Sequence, residues 1–480
     1  MVFSSLTFLF YFLPTALLVY FLTPPRWRNI PALIASLVFF SWGAPRFVYV
    51  LIATCLADYY ASRFLPQGRL PEPKRKGLLG AIVALDLGLL LYFKYANFFV
   101  AQALSLFTEL SLPAFSWTAV VLPIGISFFT FQKISYLVDV YRGTAQPAQS
   151  AGRHLLYIAL YPQLIAGPIV RYHDVALQLE NRSTSSGLFL DGLWRFSIGL
   201  AKKVLVANTF ARLADAIFAA APSTLTTSQA WVGMLAYTFQ LYYDFAGYSD
   251  MAIGLGRMMG FHFLENFNFP YASASIGEFW RRWHISLGRF MMEYLYVPLG
   301  GNRGSHRQTI RNLWLVFLAS GFWHGASWTF VLWGIWHGTL ISIEKSLGPE
   351  RMKRIPRPLG IFLTFLLVAL GWVLFRSENL HQAGGFYLML TGLSPNGAGL
   401  DVFPEMIADR ALWLVSVIAI PCALAPVLRL DRLLPKDPEN PNTQPLGSIL
   451  FRFVLSLLIL IVAASELCAS DFNPFIYFRF

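Results

Sequence analysis

Two histidines lie where an ionisable side chain is costly to keep. His284 sits in Glu278-Phe279-Trp280-Arg281-Arg282-Trp283-His284-Ile285-Ser286-Leu287. His324 sits in Ser320-Gly321-Phe322-Trp323-His324-Gly325-Ala326-Ser327-Trp328, inside the longest stretch of the chain without Asp, Glu, Lys or Arg, 312–343. Imidazole titrates near pH 6.5, so it can take and return a proton at neutral pH and is the default general base. The competing reading of each is a neutral histidine hydrogen-bonded between helices. His337 has the same Trp and Gly flanks. On one continuous helix it would lie about 20 Å from His324 and roughly 220° around the axis. Only a break at Gly325 or Gly334 could bring the two together.

Other chemistries fare worse. No H-E-x-x-H, H-x-x-x-H or Cys/His cluster is present, so no metal is expected. Cys55, Cys422 and Cys468 are scattered and form neither a disulfide framework nor a redox pair. The nearest approach to a serine-hydrolase elbow, Gly247-Tyr248-Ser249-Asp250-Met251, fails at its last position. Asp244 and Asp250 could relay protons or orient a histidine, but a helix-packing site bonded to neighbouring tyrosines is the favoured reading. Arg171, Arg281, Arg282 and Arg289 could pair with donor phosphates, and snorkelling to a membrane interface explains such arginines equally well. The chain ends Phe475-Ile476-Tyr477-Phe478-Arg479-Phe480, four aromatics in six residues. Such a tail either anchors at an interface or inserts into the protein.

The elements that would hold these groups are membrane helices. Of 480 residues 56% are hydrophobic and only 13% charged, against about 25% charged in soluble domains. Uncharged runs cover 1–25, 110–132, 216–243, 312–343 and 411–428, and about 20 apolar residues suffice for one crossing. A soluble enzyme is excluded. The net charge of +12 falls in short connectors rather than on a basic groove, which excludes nucleic-acid binding. Spans are expected near 5–23, 30–43, 47–63, 78–98, 117–139, 155–170, 191–218, 230–258, 312–343 (one long or two short), 358–376, 411–428 and 447–468. The sixth is interrupted by Pro162 and Pro168 and reads as re-entrant. The stretch 278–296 reads as a helix lying at the interface or dipping into the protein. Basic residues at 26–28, 63–76 and 345–357 put those loops in the cytoplasm, and both chain termini outside.

Taken together, five ordered motifs resemble the membrane-bound O-acyltransferase family. They are Tyr161-Pro162-Gln163 with Ala166-Gly167-Pro168, the string from Asp244 to Asp250, Glu265-Asn266-Phe267-Asn268-Phe269-Pro270-Tyr271, Phe279-Trp280-Arg281-Arg282-Trp283-His284, and Phe322-Trp323-His324-Gly325. The resemblance runs over the whole chain. It implies an all-α polytopic fold of about 11–12 transmembrane helices with re-entrant and interfacial helices around a central funnel. The whole of 1–480 would be one membrane domain, with 469–480 an external aromatic tail. It further implies catalysis by His324 with His284 as the second polar group. Acetyl-CoA would be the donor, held by Arg281, Arg282 and Arg289, and no metal is required. Tyr477 would carry the acyl group to a periplasmic acyltransferase partner that modifies an exported polysaccharide. The expected setting is the bacterial inner membrane, in contact with lipid. Under this reading His324 is the base, and His284 or a nearby backbone amide meets the oxyanion. Modification of peptidoglycan or teichoic acid is the alternative within the family. A proton-coupled secondary transporter and a structural scaffold of an export complex are the alternatives outside it.

Overall fold

The structure is a computed structural model and describes residues 1–113, 115–165, 167–393, 397–430, 445–470 and 472–474. Every regular element among them is helical. Three helices, Glu72–Glu109, Arg357–Arg376 and Leu446–Ala469, are long and apolar enough to cross a membrane, and Phe8–Leu22, Asn29–Gly43 and Arg410–Ala423 are shorter apolar helices. Their outer faces carry bare Leu, Ile, Phe and Trp side chains, among them Leu18, Leu22, Trp413, Val417, Phe451, Leu458 and Ile461. In water such faces would drive aggregation, whereas in hydrocarbon they are the solvated side.

The chain forms two compact units. The first, Met1–Phe189 with Leu255–Leu264, contains α1 (Leu13–Leu22), α2 (Asn29–Gly43), α3 (Val48–Ser62), α4 (Glu72–Glu109), α5 (Ile126–Arg142), α6 (Ala151–Ala159), α7 (Tyr161–Leu164) and α8 (Tyr172–Glu180). The interrupted sixth segment is resolved here. α6 stops before Leu160, α7 is a single turn with Pro162 in its first positions, and residues 167–171 carry no helix. Non-helical backbone at membrane depth is tolerated only where protein covers it, and Leu156–Ile165 are all buried. Lys133 on α5 pairs with Asp86 on α4 and, at 3.2 Å, with Asp58 on α3, all three side chains being buried.

The second unit, Leu190–Gly254 with Glu265–Phe480, holds α9 (Ser186–Ala201) from Leu190 on, α10 (Asn208–Ala219) and α11 (Thr227–Met258) up to Gly254. It continues through α12 (Ile276–Arg282), α13 (Ile285–Met291), α14 (His306–His324), α15 (Trp328–Lys353), α16 (Arg357–Arg376), α17 (Leu380–Thr391), α18 (Phe403–Ala408), α19 (Arg410–Ala423) and α20 (Leu446–Ala469). α9 and α11 touch backbone to backbone: a Cβ on Gly199 would lie 2.5 Å from the Gly247 carbonyl, and one on Gly254 2.6 Å from that of Gly192. Small residues at such a crossing replace the hydrophobic drive that lipid removes. The 312–343 run is two helices, not one, broken at Gly325–Ser327.

Candidate active site

The α14–α15 hairpin positions His324. Ser305 and Gln308 form a reciprocal capping box at the start of α14. The Asn312 amide donates to the Leu299 and Gly301 carbonyls at 3.1 and 3.2 Å, which fixes the helix to the preceding loop. His324 is the last residue of α14, Gly325 is extended, and the Ser327 hydroxyl caps α15 by accepting from Thr329 N–H. The helices then fold back on each other along glycines. A Cβ on Gly321 would lie 2.5 Å from the Phe330 carbonyl, and one on Gly334 2.6 Å from that of Phe317.

His284 is held differently. Ser275 caps α12, and α12 and α13 do not merge into the single 278–296 helix expected from the sequence, because the chain breaks at Trp283-His284. His284 takes φ 44° and ψ 54°, a left-handed conformation that is unfavourable for a residue with a Cβ. A neighbouring strand of loop clamps the break on both sides: Asn268 N–H donates to Arg282 O at 3.0 Å and Ile285 N–H to Asn266 O at 2.9 Å. The Asn266 side-chain oxygen then accepts from Ser286 N–H (3.2 Å) and Ser286 Oγ (2.9 Å) and lies 3.1 Å from His284 Nδ1. Because a backbone N–H can only donate, the atom facing His284 is an acceptor, and Nδ1 carries the proton. In the neutral ring Nε2 is therefore a bare lone pair, buried and without a partner among the described residues.

The two histidines converge on one aromatic nest. Trp323 lies 6.1 Å from the His284 ring and 4.9 Å from that of His324, and Phe245 on α11 lies 4.6 Å from His284. Trp333 and Phe375 stand 5.0 and 5.1 Å from His324. A small cavity with room for about one water centre is lined by Leu241, Phe245, Trp283, His324, Trp333, Trp372 and Phe375. An imidazole at the wall of a small cavity otherwise lined by apolar and aromatic side chains is suited to proton transfer in which bulk water does not compete. The hairpin also brings His337 to the same indole, at 4.9 Å from Trp333, which no continuous helix could do. His337 is packed against Trp280 and Trp333, does not line the cavity, and has neither ring nitrogen partnered among the described residues.

The candidate donor-binding arginines separate. Arg281 and Arg289 are exposed, whereas Arg282 pairs with Glu278 at 2.8 Å. Glu278 also lies 3.4 Å from Arg357, and Glu344 accepts from Gly277 N–H at 3.0 Å, so α12 lies beside the end of α15 and the start of α16; the loop expected at 345–357 is helical up to Lys353, with a kink at Gly348. Partial burial opposes ionisation of Glu278, but Ala274 N–H and the Arg282 and Arg357 guanidiniums outweigh it and hold the carboxyl below its usual range. Tyr477 lies outside the described residues; the segment just before it, 472–474, is described.

Several polar residues carry the architecture without having stood out in the sequence. Asn266 sets the tautomer of His284. Lys203, on a π-helical turn at Lys202–Ala207, forms a 2.7 Å ion pair with Asp244. Asp244 is thus paired with a lysine of a neighbouring helical segment. Asp250 is likewise paired, with Arg195 at 2.7 Å and Lys202 at 2.6 Å. The Lys202-Lys203 pair within an apolar stretch was the available signal, since charge at membrane depth requires a partner.

The sequence model of the MBOAT, membrane-bound O-acyltransferase family, matches residues 148–354, which include both histidines. The chain is 41% identical to the probable alginate O-acetylase AlgI of Pseudomonas aeruginosa over the full length of both proteins. It is 42% identical to the probable alginate O-acetylase AlgI of Pseudomonas putida, again over all of both. The peptidoglycan O-acetyltransferase of Helicobacter pylori is 37% identical over 83% of this chain and 81% of the relative. With both histidines inside the matched region and relatives of 41–42% identity over the whole chain, this helical membrane protein belongs to the membrane-bound O-acyltransferase family and is an O-acyltransferase.

Proposed function

We propose that the protein takes an acetyl group from cytosolic acetyl-CoA and passes it through the membrane for O-acetylation of an exported polysaccharide, with Tyr477 as the intermediate acceptor. The observation that carries this reading is the meeting of His324 and His284 around Trp323, with a small aromatic-walled cavity beside His324. In the reaction the acceptor oxygen attacks the thioester carbonyl. Its proton goes to His324, a C–O bond forms, the C–S bond breaks, and the proton returns to the CoA thiolate. No proton is consumed. His284 with its proton on Nδ1 offers a lone pair at Nε2, so in its neutral form it orients a donor such as the acceptor hydroxyl. The oxyanion is then left to a nearby backbone amide.

The remaining roles follow from chemistry and charge. Arg281, exposed on α12 beside the basic 344–357 stretch, and the exposed Arg289 on α13 meet the CoA phosphates on the cytoplasmic side, and Arg282 with Glu278 ties α12 to Arg357. The α14–α15 hairpin returns the chain to the side from which it came, in keeping with a cytoplasmic 345–357 loop and periplasmic termini in the bacterial inner membrane. The whole of 1–480 acts as one membrane domain with 469–480 as its periplasmic tail. A phenol ionises near pH 10 and a thiol near pH 8.5, so acetyl-tyrosine keeps much of the transfer potential of the thioester. Delivery to a sugar hydroxyl, by a periplasmic acyltransferase partner, then runs downhill. The similarity to a peptidoglycan O-acetyltransferase supports peptidoglycan as the second candidate polymer. Purified protein incubated with radiolabelled acetyl-CoA tests the reading. Label should be retained by wild type and lost from folded His324→Ala and Tyr477→Phe. Label kept by Tyr477→Phe removes the tail relay, and no CoA release with any polymer and partner removes the activity.

A further inference from the structure

The C-terminal segment is gripped before it reaches its aromatic end. Lys203, Asn208 and Asp244 are 1%, 3% and 1% exposed, far drier than ion-pairing residues usually are. The Lys203 ammonium donates to Asn208 Oδ1 at 3.0 Å and to the Pro474 carbonyl, and it forms an ion pair with Asp244 at 2.7 Å. The Asn208 amide lies 3.5 Å from both the Phe472 carbonyl and the Asn473 side-chain oxygen. Just upstream, Glu466 in the last turn of α20 pairs with Arg212 on α10 at 2.8 Å, setting where the segment leaves its helix. The lysine stands on a π-helical turn, a distortion that recurs at functional sites because it re-aims side chains.

We propose that Lys203, Asn208 and Asp244 form a dock for the chain's own C-terminal segment and are positioning residues for Tyr477; this rests on the relay reading above. Asp244 belongs to the same turn of α11 as Leu241 and Phe245, both of which line the cavity beside His324. Tyr477 follows Pro474 by three residues, a reach of at most about 10 Å of backbone. Docking at Pro474 therefore limits the phenol to the neighbourhood of that turn and converts an encounter with a loose tail into a local one. The pair also explains why a lysine is kept at this depth. One of its three donors serves a backbone carbonyl, which no apolar replacement could hold.

The test joins a cross-link to the transfer reaction. In full-length protein carrying Cys422→Ser and Cys468→Ser, the pair Asn208→Cys and Asn473→Cys should form a disulfide in membranes under mild oxidation; failure to form it overturns the dock. Lys203→Met combined with Asp244→Asn removes both charges without stranding either. It should slow acetylation of Tyr477 at least tenfold at unchanged KM for acetyl-CoA. Adding the cysteine pair and oxidising it should restore the rate, and reduction should abolish it again. A lysine needed only for folding would give no such redox rescue, and that result overturns the proposal. If instead Tyr477→Phe keeps its label while the cross-link forms and yields less in the Lys203→Met, Asp244→Asn protein, the relay fails and the dock stands.

Discussion

Each unit buries histidine among aromatic rings and lysine against aspartate, yet the two settings do opposite things. In the first unit His154 lies against Tyr136 at 4.2 Å with both ring nitrogens unpartnered among the described residues. Lys133 there ties α3, α4 and α5 together through two carboxylates, all its partners being carried on helices. In the second unit His324 lines a cavity, the proton of His284 is assigned by Asn266, and Lys203 spends one donor on a chain terminus. Burial of ionisable groups therefore does not mark the active site by itself. What sets the second unit apart is a fixed tautomer at His284 and adjacent space at His324.

The contrast is easiest to break with the histidines. His324→Ala should lower acyl transfer by about a thousandfold, within the range for loss of a general base, whereas His154→Ala should stay within about twofold. CoA release per folded molecule is the measurement, and equal losses in both would erase the distinction. Next in size, Lys133→Met strands two buried carboxylates and should cost about 3–5 kcal/mol of stability. Adding Asp58→Asn and Asp86→Asn should recover most of it. Thermal unfolding in detergent reads this, with the turnover of the folded fraction unchanged. Asn266→Ala frees the His284 ring and should lower kcat about tenfold, the equivalent of one lost hydrogen bond, at constant KM. A change confined to KM would show that Asn266 serves donor binding instead. The smallest effect is expected at the surface. Arg281→Ala or Arg289→Ala should raise KM for acetyl-CoA two- to fivefold, as exposed ion pairs of about 0.2–1 kcal/mol do, and high salt should shrink the difference.

Much of this architecture could be read from residue order. The spans expected near 78–98, 358–376 and 447–468 fall on the three helices long and apolar enough to cross a membrane, whereas the span expected at 117–139 becomes helical only at Ile126; Pro162 with Pro168 announced the interrupted segment. His284 and His324 drew attention through sheer cost of placement. The pairing of distant residues could not be read in the same way. Whether 312–343 was one helix or two depended on Gly325–Ser327, and glycine alone does not break a helix; the break follows from Gly321 and Gly334 packing backbone on backbone. The left-handed turn at His284 is invisible in sequence because a residue with a Cβ resists it, and only the Asn266–Asn268 clamp enforces it. Lys203 and Asp244 lie 41 residues apart, and no local pattern joins them.

Where the thioester is attacked is the central question. A cryo-EM structure of the protein in lipid nanodiscs with a non-hydrolysable acetyl-CoA analogue would show it most directly. The acetyl carbonyl should lie within hydrogen-bond reach of the His324 and His284 neighbourhood, opening the cavity walled by Phe245, Trp283 and Trp333, with the phosphates near Arg281 and Arg289. An acetyl group seated away from both histidines, with that cavity closed and unchanged, would contradict it.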